Sequence, residues 1–142
     1  MRKIIVTVCV KNEDKILMVQ EAQLKAYKLW NFPAGNLDEN EKIFEAAKRE
    51  AKEETGYDVE LLSLLSIQNF PKDNLIRVIF NASIISGNIN YDTNEILDVK
   101  WISIEEIESM TEQLRGPDSI LDIINDLKKN KEYPLYIVKN IM

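Results

Sequence analysis

Three glutamates stand close together near the end of one predicted helix. At about 100° per residue, Glu50, Glu53 and Glu54 share the side of the helix that also carries its alanines. Repulsion between neighbouring carboxylates, partial burial and the helix dipole all oppose this placement. A divalent cation bound among the carboxylates would reverse all three effects, and hard oxygen ligands favour Mg²⁺, with Mn²⁺ as the alternative.

The same residues allow a second interpretation. Arg49 and Lys52 stand among the glutamates, as in many exposed helices whose charges are paired and solvated. The helical wheel favours the metal site. The helix alone leaves both interpretations open.

The residue types that the sequence lacks exclude several kinds of catalysis. The chain has no histidine, and Cys9 is its only cysteine. Ser-His-Asp and Cys-His mechanisms, imidazole bases, internal disulfides and zinc sites built on paired cysteines are therefore excluded. Acid–base chemistry must come from carboxylates, lysine, tyrosine or water activated by a metal ion.

Length and charge limit the partners. The chain has 142 residues, 45% of them hydrophobic, which predicts one domain over residues 1–142. It has 24 acidic and 18 basic side chains, and a formal charge of −6 argues against nucleic acid as a partner. Neither a signal peptide nor a membrane-spanning stretch is predicted. We expect a cytoplasmic protein that does not associate with a membrane and is a monomer or a homodimer.

Hydrophobic periodicity predicts the strands that must support the glutamate-bearing helix. Strands are expected at residues 3–10, 16–20, 57–69, 74–86 and 96–102. Residues 21–30 are expected to form a loop, and residues 31–35 a strand end that runs into a tight loop. Mixed strands around one central helix, with further helices at the end of the chain, predict an α/β layered sandwich.

Capping signals predict where the helices begin and end. The central helix is expected over residues 39–55, with Asp38 and Glu41 as a capping box and Gly56 as its C-terminal stop. Ser103 and Glu106 form a second capping box, which opens a short helix to about residue 110. A last helix is expected over residues 117–129, since proline is favoured in a first turn.

The spacing of residues 35–57 resembles the Nudix box, whose pattern is G-x5-E-x7-R-E-U-x-E-E-x-G-U with U a bulky apolar residue. The fixed positions of that pattern are met by Gly35, Glu41, Arg49, Glu50, Glu53, Glu54 and Gly56. The two U positions hold Ala51 and Tyr57, and these departures concern packing more than chemistry. The resemblance implies a Nudix-type α/β/α sandwich with a mixed β-sheet, in which the box forms a loop–helix–loop.

Four further stretches extend the resemblance to the phosphatase NudJ branch of this superfamily. They are residues 29–35, 75–80, 114–117 and 133–135. The branch implies a Mg²⁺-dependent hydrolase that releases phosphate from a nucleoside diphosphate or triphosphate, or from hydroxymethylpyrimidine pyrophosphate. Alternatives are a hydrolase of another nucleoside diphosphate linked to a moiety X and a non-catalytic module that senses nucleotides. An isopentenyl diphosphate isomerase on this fold characteristically uses a catalytic cysteine, for which Cys9 is poorly placed.

The resemblance also assigns roles within the box. Glu50, Glu53 and Glu54 are the implied metal ligands, together with a backbone carbonyl near Ala34 or Gly35. The bound ions would clamp phosphoryl oxygens and help to form a nucleophile from water.

Two more residues of the box are assigned supporting roles. Arg49 is expected to fix the box by pairing with Glu41 or Glu50, the alternative being a plain surface ion pair. An orienting role is favoured for Glu41 over a role as ligand or base.

A further carboxylate outside the box is common in Nudix enzymes. Glu95, six residues before Trp101, resembles that position and is our candidate to activate or position the attacking water. Asp92 and Asp98 compete for this role, and the alternative for Glu95 is a solvated turn.

The candidates for substrate binding are two arginines and a group of aromatic residues. Arg77 lies in an apolar strand, where an unpaired charge is costly, so it is expected to hold a substrate phosphate or to pair with a carboxylate. Arg115 has the same two alternatives. Trp30 could form a stacking wall for a base together with Tyr27 and Phe70, although core packing is favoured as the explanation of any single aromatic residue.

Overall fold

The computed structural model describes residues 2–141, in which seven β-strands and three α-helices follow one another along the chain. The strands are β1 (Lys3–Asn12), β2 (Lys15–Glu21), β3 (Trp30–Asn31), β4 (Ala34–Asn36), β5 (Tyr57–Phe70), β6 (Leu75–Gly87) and β7 (Ile96–Ser103). The helices are α1 (Ile43–Thr55), α2 (Ile104–Ser109) and α3 (Pro117–Lys128). The predicted strands are confirmed with small shifts at their ends, while β3 and β4 divide the stretch predicted as a strand end and loop.

The sheet is mixed and divides into two halves. Its strand order is β3-β2-β1-β6-β5, with β4 also paired to β1 and β7 also paired to β2. Strands β1 and β6 run parallel, and the other pairs are antiparallel. Strand β1 pairs with β2 only next to their shared turn, whereas its residues Ile5–Thr7 pair with β4. The two halves therefore separate away from the β1–β2 turn, and residues 30–36 cross from one half to the other.

Helices cover both faces of the sheet, which confirms the expected α/β/α sandwich. On one face, the alanines of α1 pack with Val6 and Val8 of β1 in the first hydrophobic cluster. On the other face, α2 and α3 pack with Cys9 of β1 and Ile79 of β6 in the second cluster. Strand β1 is thus buried from both sides, which explains why it is apolar at nearly every position instead of alternating.

The first turn predicted for α1 is wrong, because the helix begins at Ile43. Asn40 adopts a left-handed conformation with φ of 63°, which interrupts the helix. The Asp38–Glu41 pair is present as an isolated turn, in which the Asp38 N–H donates to the Glu41 carboxylate at 3.0 Å. Lys42 occupies the N-cap position of α1, and its side chain makes no capping hydrogen bond.

The other helix boundaries agree with the prediction. Gly56 ends α1 with φ of 87°, and its N–H donates to the Lys52 carbonyl. The Ser103 hydroxyl accepts from the Glu106 N–H, as expected of a capping box, and α3 begins at Pro117. Nowhere in residues 2–141 is a helix both long and apolar enough to span a bilayer.

Candidate active site

Arg49 joins helix α1 to the loop that precedes it. Its Nε and Nη2 donate to the two oxygens of Glu41 at 2.7 and 2.9 Å, which is the bidentate geometry of strong arginine–carboxylate pairs. Its Nη1 donates to Glu50 at 2.9 Å, and Nη2 also reaches the Asn36 carbonyl at 3.1 Å. The predicted pairing with Glu41 or Glu50 is confirmed, since Arg49 contacts both. These bonds raise the pKa of Arg49, and they hold the pKa of the Glu41 carboxyl below its usual value.

The Glu50 carboxylate lies directly against Gly35. A Cβ atom placed on residue 35 would lie 2.1 Å from the Glu50 carboxyl carbon, so any other residue there would displace the Glu50 carboxylate. Burial raises the pKa of Glu50, while the bond from Arg49 acts in the opposite direction. The chain segment that contains Gly35 and helix α1 are therefore in close contact at the Glu50 carboxylate.

Glu54 is the most perturbed acid of this motif. One carboxylate oxygen accepts from the Ala34 N–H at 3.0 Å. Burial raises the pKa of Glu54 well above its ordinary value, and the charges of Glu50, Glu21 and Glu95 raise it further. Four carboxylates from three separate stretches of chain thus influence one another at this point.

Glu53 departs from the helical-wheel prediction. Its side chain is 58% exposed, and its nearest cation is Arg49 Nη1 at 3.4 Å. The buried face of α1 is formed by Ala46, Ala47 and Ala51, so Glu53 lies outside that face. Within residues 2–141, no three acidic side chains are already gathered in metal-coordinating positions.

The donors present nevertheless suit a hard divalent cation. Glu50 and Glu54 offer carboxylate oxygens beside the backbone of Ala34 and Gly35, and Glu53 is one helical turn from Glu50. The raised pKa values of Glu50 and Glu54 mark a place where negative charge is unfavourable and a nearby cation would stabilise it. The cation interpretation of the helix therefore fits better than a solvated face.

Glu95 lies on the turn before β7, and its charge acts on Glu54. Its backbone carbonyl accepts from the Ala22 N–H, and its carboxylate is within 3.5 Å of Gln23 Nε2. The competing acids bond locally, because Asp92 accepts from the Asn94 N–H and Asp98 from the N–H of the next residue.

Arg77 is buried and does not pair with a carboxylate, so that alternative is wrong, while contact with a substrate phosphate stays a prediction. Only 7% of the residue is exposed. Its guanidinium donates to the Asn31 amide oxygen and to the Ser119 hydroxyl, each at 2.8 Å, instead of to a carboxylate. Burial lowers the pKa of Arg77 to about 10, with Cys9 and Glu21 acting in the opposite direction.

Arg115 and Trp30 meet at the start of α3. The Arg115 N–H donates to the Trp30 carbonyl at 2.9 Å, and Arg115 Nη1 donates to Glu21 at 2.6 Å. Trp30 is 6% exposed and belongs to the second hydrophobic cluster, whereas Tyr27 is 53% exposed. Phe70 ends β5 opposite Leu75. The stacking wall stays a prediction, with Trp30 packed in the core.

Comparison with known protein families agrees with the family that the fold of the chain indicates. A profile of the NUDIX domain matches residues 1–122, which is most of the chain. The chain belongs to the Nudix superfamily. A solved Nudix hydrolase from Nitrosomonas europaea superposes with a TM-score of 0.89 at 28% identity, covering 99% of this chain and 98% of that one.

Two Nudix relatives share part of their length with this chain. The 8-oxo-dGDP phosphatase NUDT18 of Danio rerio is 35% identical over 101 residues, covering 69% of this chain and 31% of the relative. A putative 8-oxo-dGTP diphosphatase of Bacillus subtilis is 37% identical over 97 residues, covering 68% of this chain and 63% of the relative. The chain thus spans less than two thirds of either relative.

The Nudix box accounts for only part of the polar cluster in the structure. No motif in the sequence marks Glu21, Asn31 or Ser119. In the structure, Asn31 and Ser119 accept hydrogen bonds from Arg77, and Glu21 accepts one from Arg115. The one available signal is that Glu21 ends the apolar strand β2, where a carboxylate needs a partner.

Proposed function

We propose that this Nudix protein is a Mg²⁺-dependent hydrolase that cleaves a phosphoanhydride bond in a nucleoside diphosphate, a nucleoside triphosphate or a related diphosphate. The observation that carries the proposal is the pair of carboxylates, Glu50 and Glu54, packed against Gly35 and Ala34 with raised pKa values. The names of the Danio rerio and Bacillus subtilis relatives support a nucleoside phosphate as substrate.

The proposed cation ligands are Glu50, Glu53 and Glu54, with a backbone carbonyl of Ala34 or Gly35. When bound, Mg²⁺ supplies charge neutralisation for the phosphoryl oxygens and increases the acidity of water, and Mn²⁺ is an alternative with the same preference for oxygen. Glu53 has an exposed side chain one turn from Glu50, so it is free to change rotamer when a cation arrives.

Other acids and Arg49 assist the ligands in this proposal. Arg49 and Glu41 hold the loop against α1 and so keep Glu50 beside Gly35. We assign Glu95 to the attacking water, because its carboxylate is exposed and has only a long contact to Gln23. A carboxylate in that situation can accept a proton while the buried acids remain in place.

The region around Arg115 is proposed to receive the substrate. The Arg115 side chain is 43% exposed and can donate to a phosphoryl oxygen. Arg77 is too deeply buried to meet the substrate first, and we assign it to the support of Asn31, to which it donates a hydrogen bond. Hydroxymethylpyrimidine pyrophosphate is included among the substrates because of the resemblance to the NudJ branch.

A phosphate-release assay with Mg²⁺ and a panel of nucleotides tests the proposal. We expect orthophosphate from at least one nucleoside diphosphate, nucleoside triphosphate or pyrimidine pyrophosphate. Release of a nucleoside monophosphate from a nucleoside diphosphate linked to a second moiety would favour the alternative hydrolase. Binding of nucleotides without turnover of any of them would favour the sensing module and contradict hydrolysis.

A further inference from the structure

Glu21 is a buried carboxylate that the proposed chemistry does not use. It ends β2, and only 8% of the residue is exposed. Its Oε1 accepts from Arg115 Nη1 at 2.6 Å, whereas its Oε2 is buried without a hydrogen-bond partner among residues 2–141. An unpartnered buried carboxylate oxygen destabilises a fold, so stability alone does not explain this residue.

The surroundings of Glu21 connect it to the active site. Its charge is one of those that raise the pKa of Glu54, so the two carboxylates lie within electrostatic reach of each other. Burial raises the pKa of Glu21, while the charges of Arg115 and Arg77 act in the opposite direction. In the sheet, Glu21 pairs with Ile96, and the N–H of the next residue, Ala22, donates to the Glu95 carbonyl at 3.1 Å. Glu21 therefore lies beside the turn that carries Glu95 while its carboxylate binds Arg115.

The pair of Glu21 and Arg115 differs from a surface ion pair. In Lys128–Glu108, which lies on the protein surface, the side chains are 49% and 42% exposed. In Arg115–Glu21, the carboxylate is 11% exposed and the arginine is 43% exposed. The Glu21 carboxylate is thus held within the protein, whereas the Arg115 guanidinium presents N–H donors to solvent.

Arg115 is fixed at two points and open elsewhere. Its backbone N–H is bound to the Trp30 carbonyl, and Nη1 is bound to Glu21. A guanidinium has five N–H donors in a planar fork, so further donors remain to receive a ligand. The orientation of those donors depends on the Glu21 carboxylate.

We propose that Glu21 is a positioning residue that orients the Arg115 guanidinium to receive a phosphoryl group of the substrate beside Glu54. The inference rests on the proposed function, because it assumes a phosphorylated substrate. Without Glu21, Arg115 keeps its charge but loses its orientation, so binding of the anion weakens while the acids of the box are unchanged.

The first test is Glu21→Gln, which preserves the shape of the side chain and removes its charge. We expect KM for a nucleoside diphosphate to rise on the order of 10-fold, with kcat within about 2-fold of wild type, because a charge-assisted contact that orients the binding group is lost. Glu21→Asp keeps the charge but withdraws it from Arg115, and it should also raise KM. Glu108→Gln removes a carboxylate from a surface ion pair and should leave both constants unchanged.

The second test is a double-mutant cycle with Arg115→Gln. If Glu21 acts through Arg115, the double variant should have the same kcat/KM as Arg115→Gln alone. Calorimetric titration with methylenediphosphonate in Mg²⁺ should show the same non-additivity in Kd. Additive effects, an unchanged KM or a lower KM in Glu21→Gln would overturn the positioning role.

The two proposals fail in different ways. If wild type turns over no diphosphate, yet methylenediphosphonate binds and Glu21→Gln weakens that binding, hydrolysis is wrong and the positioning role stands. If wild type is active and Glu21→Gln binds and reacts normally, only the role of Glu21 is wrong.

Discussion

The three adjacent acids of the Nudix box have identical side chains in different environments. Glu54 is surrounded by other carboxylates and bonded to a backbone N–H, Glu50 is held by Arg49, and Glu53 is largely exposed. Such differences separate the affinities of carboxylates for protons and cations. Of these three acids, Glu54 is the one whose ionised form a bound cation would stabilise most.

Replacement of Glu54 by glutamine tests its role directly. We expect Glu54→Gln to lower kcat by more than the roughly 10- to 100-fold that loss of a supporting residue costs at a metal site. The fold should persist, because the amide removes an unfavourable buried charge. Phosphate-release kinetics and circular dichroism measure the two effects. Glu45→Gln, on the exposed side of the same helix, is the matched control, and equal activities of the two variants would refute the assignment.

The raised pKa of Glu54 also predicts how stability depends on pH in the absence of metal. The folded state favours the protonated acid, so its stability is complete below the ordinary value of 4.5 and falls as pH rises through the raised pKa. Glu54→Gln lacks this loss. In EDTA, its melting temperature should match wild type in acid and exceed it at neutral pH by at least about 2 °C, the shift expected of about 1 kcal/mol in a chain of this size. A difference that does not vary with pH would contradict this account.

At the residue scale, sequence spacing predicts the acids of the box and misses the polar network behind them. Arg77 is recognisable as a buried charge, yet its partners Asn31 and Ser119 lie 46 and 42 positions away along the chain. Glu21 and Arg115 are separated by 94 positions. Periodicity and motif spacing contain no information on such pairs, because the pairs depend on how the two halves of the sheet meet.

At the scale of elements, the site is a contact between a loop and a helix. Gly35 belongs to β4, Glu50 belongs to α1, and Arg49 bonds the two elements together. The fixed glycine of the box therefore has a steric reason, which is the close approach of a carboxylate.

Gly35→Ala tests this contact. The added methyl group would occupy the position of the Glu50 carboxylate, so Glu50 must move and activity should fall strongly. Because the displaced atoms are the end of a flexible side chain, the melting temperature should change little compared with the loss of activity. Asn36→Ala, at an exposed neighbouring position in β4, serves as the control. An active Gly35→Ala enzyme would show that the position of Glu50 is not critical.

The capping signals predict three helix ends well and the start of α1 poorly. Gly56, Ser103 and Pro117 act through bonds or dihedral angles that are local to each end. The Asp38–Glu41 pair has the correct sequence, but Glu41 is held by Arg49 and Asn40 turns the backbone left-handed. The pair therefore forms a separate turn ahead of α1 instead of the first turn of the helix.

For the whole molecule, the sequence predicts the layers but not the order of the strands. Alternation and apolar runs identify the five longer strands and their burial. The parallel pairing of β1 with β6, and the short pairing of β1 with β2, are set by side chains that meet across the core.

Cation binding should stabilise the molecule as a whole. A ligand that binds only the folded state at 100 times its Kd adds about 2.7 kcal/mol, so saturating Mg²⁺ should raise the melting temperature by several degrees. EDTA should reverse the shift and abolish phosphate release. NaCl at matched ionic strength is the control, because screening alone stabilises a chain with a charge of −6. An equal shift in NaCl would remove the argument for a specific site.

Arg115 and Ser119 belong to the polar network around the two arginines, and they come from a stretch of chain that follows the Nudix box by more than 50 positions. On the proposed roles, bond cleavage and choice of substrate are encoded in stretches that do not overlap. A chimaera that receives residues 111–141 from another Nudix protein should acquire the donor's selectivity and keep its own cation requirement. With this division of roles, the substrate of the enzyme can change while the residues that carry out hydrolysis stay the same.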